Sequence, residues 1–369
     1  MSLFLDQASV EDMRCRPPGK GISQMSKESF PQTPSVQQSL HGLLHAIAGV
    51  EQVLILPHTD PDPDAIASAL ALRHLLAEKR GTNTRIVYRG IIGRAENKAM
   101  VRYLGCPLRR LVRSDLEKPV AFALVDTQPG AGNNVLPSAH PVSVVLDHHP
   151  WREATATATF PDIRADIGAT STILTQYLRA ADLEPPSPLA TALFYGVKTD
   201  TMGLSRGASE EDVAAYFYLQ PRIDFEALAT IERAQVPAAY FASFAATLRA
   251  ARIYDDVLIS YVGRMGYPDM AAEMADLLLR LQGVQWVICI GVFEDEIALS
   301  VRTLTKGGGA DRLVQEVVGD QGTAGGHGAM AAGHISLGAR DPELLARELG
   351  QRALSALGVV PDLPGRPLV

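Results

Sequence analysis

The segment HTDPDPD, from His58 to Asp64, brings three aspartates and a histidine close together in the chain. The apolar run VLILP before it is typical of a buried strand, and a helical pattern follows it. Asp62 and Asp64 are two residues apart, so in an extended segment stiffened by the neighbouring prolines their carboxylates face the same way. Asp60 precedes this rigid Pro-Asp-Pro-Asp unit, and we expect it to take less part in binding than the other two.

Further acidic and imidazole side chains stand at comparable places in the pattern. They are Asp126 after AFALV, Asp147, His148 and His149 after VSVVL, and Asp200 at the end of the helical pattern in YGVKTDT. In open parallel sheets, ligands bind at the carboxyl ends of the strands, so we expect these groups to converge on one cleft. Adjacent residues of a strand end diverge, and we therefore expect one of the two neighbouring histidines to face a metal ion and the other the substrate.

A single aspartate after a strand is usually a turn or cap residue, and Asp64 by itself could be the N-cap of the following helix. Four carboxylates and several imidazoles in one cleft are different, because they would raise one another's pKa unless cations were present. Oxygen and imidazole ligands without thiolates favour Mn²⁺ or Mg²⁺ over structural zinc. Four aspartates would neutralise two divalent ions, and ions paired about 3.5–4 Å apart are a known device for phosphoester hydrolysis. We therefore predict two divalent metal ions, with Mn²⁺ as the first choice and Mg²⁺ as the second.

Short apolar runs alternate with helical patterns in the first half of the chain, which is typical of a mostly parallel sheet flanked by helices. The predicted strands are 53–57, 85–89, 121–125 and 142–146, and the predicted helices are 65–79, 168–183 and 189–197. In the first helix, Ala65, Ala69, Leu72 and Leu76 follow the helical period, so we expect it to pack one face on the sheet. The fold class predicted for this part is α/β.

The pattern divides the chain into four segments. We predict a poorly ordered or loosely docked extension (1–37), a first domain (38–220), a helical linker (221–251) and a smaller α+β domain with a β-meander core (252–369). The helical tract before the last segment is interrupted at Pro221 and Pro237, because proline breaks helices. The active-site cleft is expected between the two domains.

Composition excludes several classes of protein. The chain of 369 residues suits two domains, and no apolar run approaches the roughly 20 residues that span a bilayer. The N-terminus lacks the features of a secretory signal, so we expect a cytoplasmic protein without a membrane partner. Three cysteines without CxxC spacing argue against a disulfide framework and a zinc knuckle. The net charge of −7 disfavours long duplex DNA but permits a short anionic substrate.

These residues resemble the motifs of the DHH phosphoesterases. LDHHP contains the Asp-His-His sequence that names the family, HTDPDPDAIAS is similar to its first motif, ALVDT to its second and GVKTDT to its fourth. SVRT followed by GGHGAMAAG resembles the accessory domain called DHHA1. Five motifs in family order are far more specific than a lone DHH tripeptide. The resemblance implies a DHH catalytic domain at 38–220 and a DHHA1 substrate-binding domain at 252–369.

The resemblance also implies a role for each site residue. The implied metal ligands are His58, Asp62 and Asp126 for one ion, and Asp64, Asp126, His148 and Asp200 for the other, with Asp126 bridging. The implied catalytic residues are His149, in contact with the scissile phosphate, Asp126, and Asp147, which supports the ligands from behind. A water activated by the metal pair would be the nucleophile.

In the accessory domain, the resemblance implies that Arg302 and His327 bind the phosphate and sugar at the other end of the substrate. Gly325 and Gly326 would let the backbone approach an anion closely, although a glycine cluster by itself is as often a flexible turn. The motif here contains Gly328 and Met330, which could alter the end pocket and the preferred substrate.

The arrangement of one DHH domain followed directly by DHHA1 is similar to the nanoRNase (oligoribonuclease)/pAp-phosphatase group. The implied substrates are short single-stranded oligonucleotides, cut to mononucleotides, and 3′-phosphoadenosine 5′-phosphate, converted to AMP. The alternatives are a cyclic dinucleotide (c-di-AMP) phosphodiesterase and a non-catalytic nucleotide-binding sensor. A RecJ-type exonuclease would need further nucleic-acid-binding modules, and a family-II pyrophosphatase would need a lysine-rich phosphate motif. The sequence leaves the oligomeric state open, with a homodimer among the options.

Overall fold

A computed structural model describes residues 35–117, 120–137, 140–360 and 365–369, apart from the side chain of His327. The residues from Val36 onward form one unit. The predicted extension 1–37 lies outside the described residues except for its last three positions, where a helix already begins at Val36. None of the described helices has the length and apolar composition to cross a membrane.

The first sheet is built from short, buried apolar strands. Its strands are β1 (Gln52–Pro57), β2 (Asn83–Tyr88), β3 (Leu108–Arg110), β4 (Ala121–Val125), β5 (Val142–Asp147) and β6 (Phe160–Ile163). In the described part of the chain their order is β3-β2-β1-β4-β5-β6, and all neighbours are parallel. The predicted α/β class is confirmed, and the four predicted strands are present, whereas β3 and β6 were not predicted.

Helices cover this sheet and continue along the chain. They are α1 (Val36–Ala46), α2 (Pro63–Arg80), α3 (Ala95–Tyr103), α4 (Arg113–Leu116), α5 (Thr170–Ala180), α6 (Ser187–Asp200), α7 (Glu210–Leu219), α8 (Phe225–Glu232) and α9 (Ala238–Ala250), with 3-10 turns at Glu153–Thr157 and Gln220–Arg222. The breaks predicted at Pro221 and Pro237 occur between α7, α8 and α9. Leu228 and Ile231 of α8 still belong to the core of the first sheet, whereas Phe244 of α9 packs on the core of the second.

Helix α2 is more deeply buried than an amphipathic pattern predicts. Every residue from Pro63 to Leu72 is buried, because α2 packs against the sheet on one side and against α5 and α6 on the other. The predicted packing of one face on the sheet is present, and α5 and α6 cover the first half of the helix in addition. The alternating small and large side chains of this half fit an enclosed position, where no polar face is needed.

The second sheet is mixed. Its strands are β7 (Arg252–Tyr254), β8 (Val257–Arg264), β9 (Trp286–Phe293), β10 (Glu296–Thr303), β11 (Gly322–His327), β12 (Met330–Ser336) and β13 (Arg366–Pro367), and its helices are α10 (Met270–Leu278), α11 (Ala310–Val318) and α12 (Pro342–Ala356), with a 3-10 turn at Gly319–Gln321. The order of the described strands is β11-β12-β10-β9-β8-β7-β13. Strands β8 and β9 are parallel, so the prediction of a β-meander is wrong at that pair. The reason is α10, which forms a crossover between them.

The order of the first sheet reverses between β1 and β4. The chain runs outward from β1 to β3, returns to β4 beside β1, and then continues in the opposite direction. In open α/β sheets a crevice forms at such a switch point, outside the carboxyl ends of the strands. HTDPDPD follows β1 and Asp126 follows β4, so the topology places the aspartates at this crevice.

Gly196 lets helices α2 and α6 approach closely beside the site. A Cβ atom at Gly196 would lie 2.4 Å from the Ser171 hydroxyl oxygen and 3.1 Å from the Asp64 Cα. We expect Gly196→Ala to destabilise the fold by about 1–3 kcal/mol through overpacking. Thermal unfolding of the purified variant measures this loss.

Gly350 in α12 provides the matched control. A Cβ there would meet Ile259 at an ordinary 3.5 Å, so Gly350→Ala should leave the unfolding temperature unchanged or raise it, since alanine is the better helix former. Equal effects of the two substitutions would contradict the close approach of α2 and α6.

Candidate metal centre

Asp126 stands at the centre of the crevice in a strained conformation. Its φ of 59° lies in the left-handed region, which aspartate tolerates better than most residues. Its backbone N–H donates to the Leu146 carbonyl (2.9 Å), and Thr170 Oγ1 donates to its carboxylate (2.9 Å). Because these contacts fix both the backbone and the side chain, the strain is held in place, as is typical of functional sites.

The two carboxylate oxygens of Asp126 face two different histidines. Asp126 Oδ2 lies 3.5 Å from His58 Nε2, which is also 3.6 Å from Asp62 Oδ1. Asp126 Oδ1 lies 3.6 Å from His148 Nε2, which is also 3.5 Å from Asp200 Oδ2. Two atoms that each lie about 2.1 Å from one ion at near-octahedral angles are separated by about 3 Å, so small adjustments suffice for coordination.

The ligand atoms form overlapping sets around this carboxylate. Within each set the candidate ligand atoms lie within 4.8 Å of one another: His58 with Asp62 and Asp126, Asp64 with His148 and Asp200, and Asp126 with His148 and His149. The first two sets reproduce the division between two ions that the sequence resemblance implied, and Asp126 touches both groups. All six predicted ligands therefore converge, and their roles as metal ligands stay a prediction.

Both histidines are oriented by backbone carbonyls. His58 Nδ1 lies 2.8 Å from the Thr59 carbonyl, and His148 Nδ1 lies 3.2 Å from the Ile167 carbonyl. A proton on each Nδ1 can donate to these oxygens, which leaves the Nε2 lone pairs directed at the carboxylates. Among the described residues, the buried His148 Nε2 has no hydrogen-bond partner. An unpartnered, buried nitrogen between carboxylate oxygens fits a metal ligand.

Asp64 joins the cluster from within α2. It is fully buried, and its two oxygens accept the backbone N–H groups of Thr170 and Ser171, both at 2.7 Å. These donors belong to the first turn of α5, where N–H groups lack partners in their own helix. The N-terminus of α5 thus offsets part of the charge that Asp64 brings into the interior.

The cluster is electrostatically unbalanced. Burial, followed by the neighbouring carboxylates, raises the pKa of Asp64 and of Asp200 well above the ordinary value, and burial with Asp62 raises the pKa of Asp126 as well. Burial by itself would lower the pKa of His58, but the hydrogen bond and charge of Asp62 and the charge of Asp126 outweigh it and raise the pKa to about 10. Divalent cations would relieve this repulsion, and the donor set of carboxylate oxygens and imidazoles fits Mn²⁺ or Mg²⁺.

His149 lies beside His148, with ring centroids 4.4 Å apart, and the expected divergence of the two side chains toward metal and substrate stays a prediction. The Nδ1 of His149 donates to Asp147 Oδ1 (2.8 Å), and the planes of the two imidazole rings meet at 64°. Burial opposes the charged form of His149, but Asp147 and Asp126 outweigh it and raise the pKa of His149 to about 9. Asp147 therefore holds the imidazole of His149 and stays outside the three ligand sets.

Gln128 fixes the backbone that carries these residues. The side chain is buried, and its amide nitrogen donates to Asp147 Oδ2 (2.7 Å), the His149 carbonyl (3.3 Å) and the Pro150 carbonyl (3.0 Å). Its amide oxygen accepts from the Arg152 N–H and the Thr155 hydroxyl, both at 2.9 Å. One glutamine thus connects β4 with the segment after β5.

Asp212 performs the same function for the loop before α5. Its carboxylate accepts from the Gly168 N–H (2.7 Å) and the Thr172 hydroxyl (2.5 Å), and with Ser209 it forms the capping box of α7. The loop held in this way contains Ile167, whose carbonyl orients His148. The sequence analysis missed both Gln128 and Asp212. Only the Ser-x-x-Asp spacing of the capping box offered a signal, and it marks a helix start but no site.

A cavity of about 370 Å³ adjoins the cluster. One wall is formed by His148, His149 and Asp200, and the opposite wall by the turn from Gly328 to Met330 between β11 and β12. The predicted cleft between the two domains is therefore present. Arg206, from the loop after α6, also lines it.

The predicted substrate-binding residues of the second sheet lie in varied surroundings. Arg302 is buried, and its Nε donates to Asp276 (2.5 Å) while Nη1 donates to Ser300 (2.9 Å). Gly325 and Gly326 lie in β11, where a Cβ at Gly326 would come within 2.4 Å of the Ala331 Cα, so strand pairing alone requires glycine there. The side chain of His327 lies outside the described residues. Arg302, Gly325 and Gly326 are not among the residues that line the cavity described above, and the binding roles of all four residues stay predictions.

The prediction that HTDPDPD is extended through Asp64 was wrong, although Asp62 and Asp64, which it selected, both lie in the cluster. The segment is not extended through Asp64, because α2 begins at Pro63 and Asp62 is its N-cap, accepting from the Ala65 N–H (3.0 Å). The N-cap role proposed as the alternative for Asp64 thus falls to Asp62. The carboxylate of Asp60 turns away and accepts from the Ile91 N–H, which agrees with its smaller expected part.

Comparison with known proteins identifies the class of the first domain. Residues 52–197 match the family described as DHH family, N-terminal domain, and the resemblance to DHH proteins is confirmed. The chain therefore carries a DHH-family domain. A crystal structure of an exopolyphosphatase-related protein from Bacteroides fragilis shares the fold, with a TM-score of 0.68 and 15% identity over 86% of this chain and 96% of that chain.

Two sequence relatives extend the comparison. An uncharacterized protein of Methanocaldococcus jannaschii is 37% identical over 310 residues, which cover 82% of this chain and 63% of that protein. A probable manganese-dependent inorganic pyrophosphatase of Brevibacillus brevis is 31% identical over 171 residues, which cover 45% of this chain and 53% of that protein. The chain thus spans less than two thirds of the length of either relative.

Replacement of Gln128 tests its part in holding the site. We expect Gln128→Leu to destabilise the protein by at least about 2 kcal/mol, because it keeps the volume but leaves the buried Thr155 hydroxyl and Asp147 oxygen without this partner. Thermal unfolding measures the loss. Gln315→Leu on the exposed face of α11 is the control and should change stability by no more than about 0.5 kcal/mol. Indistinguishable melting curves for the two variants would refute the role given to Gln128.

Proposed function

We propose that this protein is a metal-dependent phosphoesterase that hydrolyses short oligonucleotides to mononucleotides, 3′-phosphoadenosine 5′-phosphate to AMP, or both. The observation that carries the proposal is Asp126, whose two oxygens face His58 and His148 in two separate ligand sets. The DHH-family domain supports hydrolysis at phosphorus. The name of the pyrophosphatase relative supports manganese as the metal.

Each ligand set would hold one divalent ion. His58, Asp62 and Asp126 would bind the first, and Asp64, Asp126, His148 and Asp200 the second. When bound, the two ions would make a water nucleophilic near neutral pH and neutralise charge on the phosphoryl oxygens. Mn²⁺ is the proposed ion, and Mg²⁺ accepts the same oxygen ligands.

His149 would bind the scissile phosphate from the cavity. His149 lines the cavity, where it would meet the anionic substrate. Asp147, 2.8 Å from Nδ1, fixes the orientation of the imidazole that would donate to a phosphoryl oxygen. A protonated imidazole in this place could also give its proton to the leaving oxygen.

The cleft favours short substrates. Its volume of about 370 Å³ is at the small end of the range for ligand sites in proteins. The net charge of −7 gives no support for a basic track along a long nucleic acid. A short nucleotide bound between the metal centre and the Gly328–Met330 turn is the substrate that these features fit.

Inorganic pyrophosphate hydrolysis is a second candidate, favoured by the 31% identity to the Brevibacillus protein. The second sheet argues against it, because Arg302 is already paired with Asp276 and Lys306 is an exposed residue of the loop after β10. A cyclic dinucleotide phosphodiesterase and a nucleotide sensor without catalysis are further alternatives that keep the same pocket.

A substrate panel decides among these functions. We expect the pure protein with Mn²⁺ to hydrolyse di- to pentanucleotides or 3′-phosphoadenosine 5′-phosphate faster than cyclic di-AMP or pyrophosphate. Product formation is followed by chromatography and phosphate release. Preferred turnover of pyrophosphate would establish the second candidate instead. Metal binding without turnover of any compound would favour a sensor.

Substitution of the shared ligand tests the metal centre. Asp126→Ala should abolish measurable turnover and weaken Mn²⁺ binding by about 100-fold or more, because one carboxylate serves both ligand sets. Titration calorimetry with Mn²⁺ and turnover assays measure the two effects.

Asp60→Asn is the matched control in the HTDPDPD segment. Asparagine tolerates the left-handed φ of 57° at this position and can still accept from the Ile91 N–H. Metal affinity and turnover should stay within about threefold of the unmodified protein, well below the effect expected of a ligand. Retained activity in Asp126→Ala, or a large loss in Asp60→Asn, would contradict the assigned centre.

A further inference from the structure

Arg206 is a cationic side chain of the cleft that the proposed metal centre does not use. It lines the cavity with His149 and Asp200 on one side and Met330 on the other. Its Nη2 donates to the backbone carbonyl of Asp200 (3.1 Å), and its Nη1 contacts the sulfur of Met330. The guanidinium therefore bridges the two walls of the cleft directly beside a predicted metal ligand.

The loop that carries Arg206 is held in an unfavourable backbone conformation. Met202 and Leu204 have φ values of 47° and 69°, a region that such side chains rarely adopt. The hydroxyl of Thr201 donates to the Val197 carbonyl (2.6 Å) and accepts the Leu204 N–H (3.0 Å), and the Arg206 N–H donates to the Thr201 carbonyl (3.0 Å). Strain that the surroundings hold in this way is typical of ligand-binding loops. The position of Arg206 is thus fixed before a ligand arrives.

The charge of Arg206 is poorly compensated. Among the described residues it forms no salt bridge with an aspartate or glutamate, whereas Arg302 pairs with Asp276 at 2.5 Å. The thioether of Met330 is a weak acceptor, so most of the five guanidinium donors lack a strong partner. An anion in the cavity would supply the missing partner.

We propose that Arg206 forms a second phosphate-binding site, which holds a phosphate group of the substrate that is not cleaved. This inference rests on the proposed function, because the scissile phosphate is assigned to the metal centre and His149. The side chain is anchored to both walls and lines the cavity next to the centre. The substrate class that this site selects is a short nucleotide with a second, terminal phosphate, which a guanidinium binds in bidentate fashion.

The kinetic preference for a terminal phosphate tests the site. The ratio of kcat/KM for 5′-phosphorylated diadenylate to kcat/KM for diadenylate with a 5′-hydroxyl should exceed 1 in the unmodified protein. In Arg206→Gln this ratio should fall by about 10- to 100-fold, the range expected for hydrogen bonds to a charged group. Arg206→Lys keeps the charge without the planar fork, and it should retain part of the preference. The loss should appear mainly in KM.

Arg347→Gln is the matched control for loss of an arginine. This residue lies on α12 with its side chain 72% exposed and pairs only loosely with Glu343 (3.7 Å), so the ratio should not change. Equal losses on both dinucleotides in Arg206→Gln would assign Arg206 to the scissile phosphate and overturn the inference. An unchanged ratio would overturn it as well. Thermal unfolding of each variant confirms that the comparison is made on folded protein.

A binding measurement separates this inference from the proposed function. If the unmodified protein hydrolyses neither dinucleotide, the proposed function fails. Calorimetry with AMP and with adenosine then tests the phosphate site at Arg206 by itself. Tighter binding of AMP than of adenosine, with the difference lost in Arg206→Gln and kept in Arg347→Gln, supports the phosphate site. The same difference in both variants contradicts it.

Discussion

Repulsion among buried carboxylates is the constraint on which the site depends. Asp64 and Asp126 are almost completely buried, and the carboxylates of Asp62, Asp126 and Asp200 lie 3.5–3.6 Å from the imidazole nitrogens of His58 and His148. The N-terminus of α5 and the histidines offset part of this negative charge. The negative charge that is left requires divalent cations, because an isolated buried carboxylate otherwise takes up a proton.

The framework around the cluster is built from neutral hydrogen-bonding groups. The carbonyls of Thr59 and Ile167 orient the two histidines, and Gln128 ties the segment after β5 to the segment after β4. Two charged groups take part as well: Asp212 accepts from donors of the loop before α5 and of α7, and Asp147 holds the imidazole of His149. Most of the predicted ligands are thus positioned by contacts within the protein, which would preorganise the site and limit the entropy lost on ion binding.

The second wall of the cleft is set by close backbone packing. Gly308 lies against Gly328, with no room for a Cβ, and Gly328 accepts the N–H of Ala310 at the start of α11 (3.0 Å). These contacts place the turn before Met330 opposite the metal centre. The candidate centre is fixed on the parallel sheet, while the turn and the loop after α6 shape the space beside it.

The resemblance to the DHH motifs implied the pairing around Asp126. The sequence by itself determined the acid and imidazole side chains of the site and the strands that they follow. These predictions depended on local features, since acids that follow strongly apolar runs lie at the carboxyl end of a sheet whatever the remaining contacts are. Tertiary structure alone decided the partners of Gln128, Asp212 and Arg206, because their contacts join segments far apart in the chain. The burial of α2 and the parallel pairing of β8 with β9 have the same cause, because both result from the elements packed around them. The spacing of apolar residues within a segment does not show which elements will pack against it.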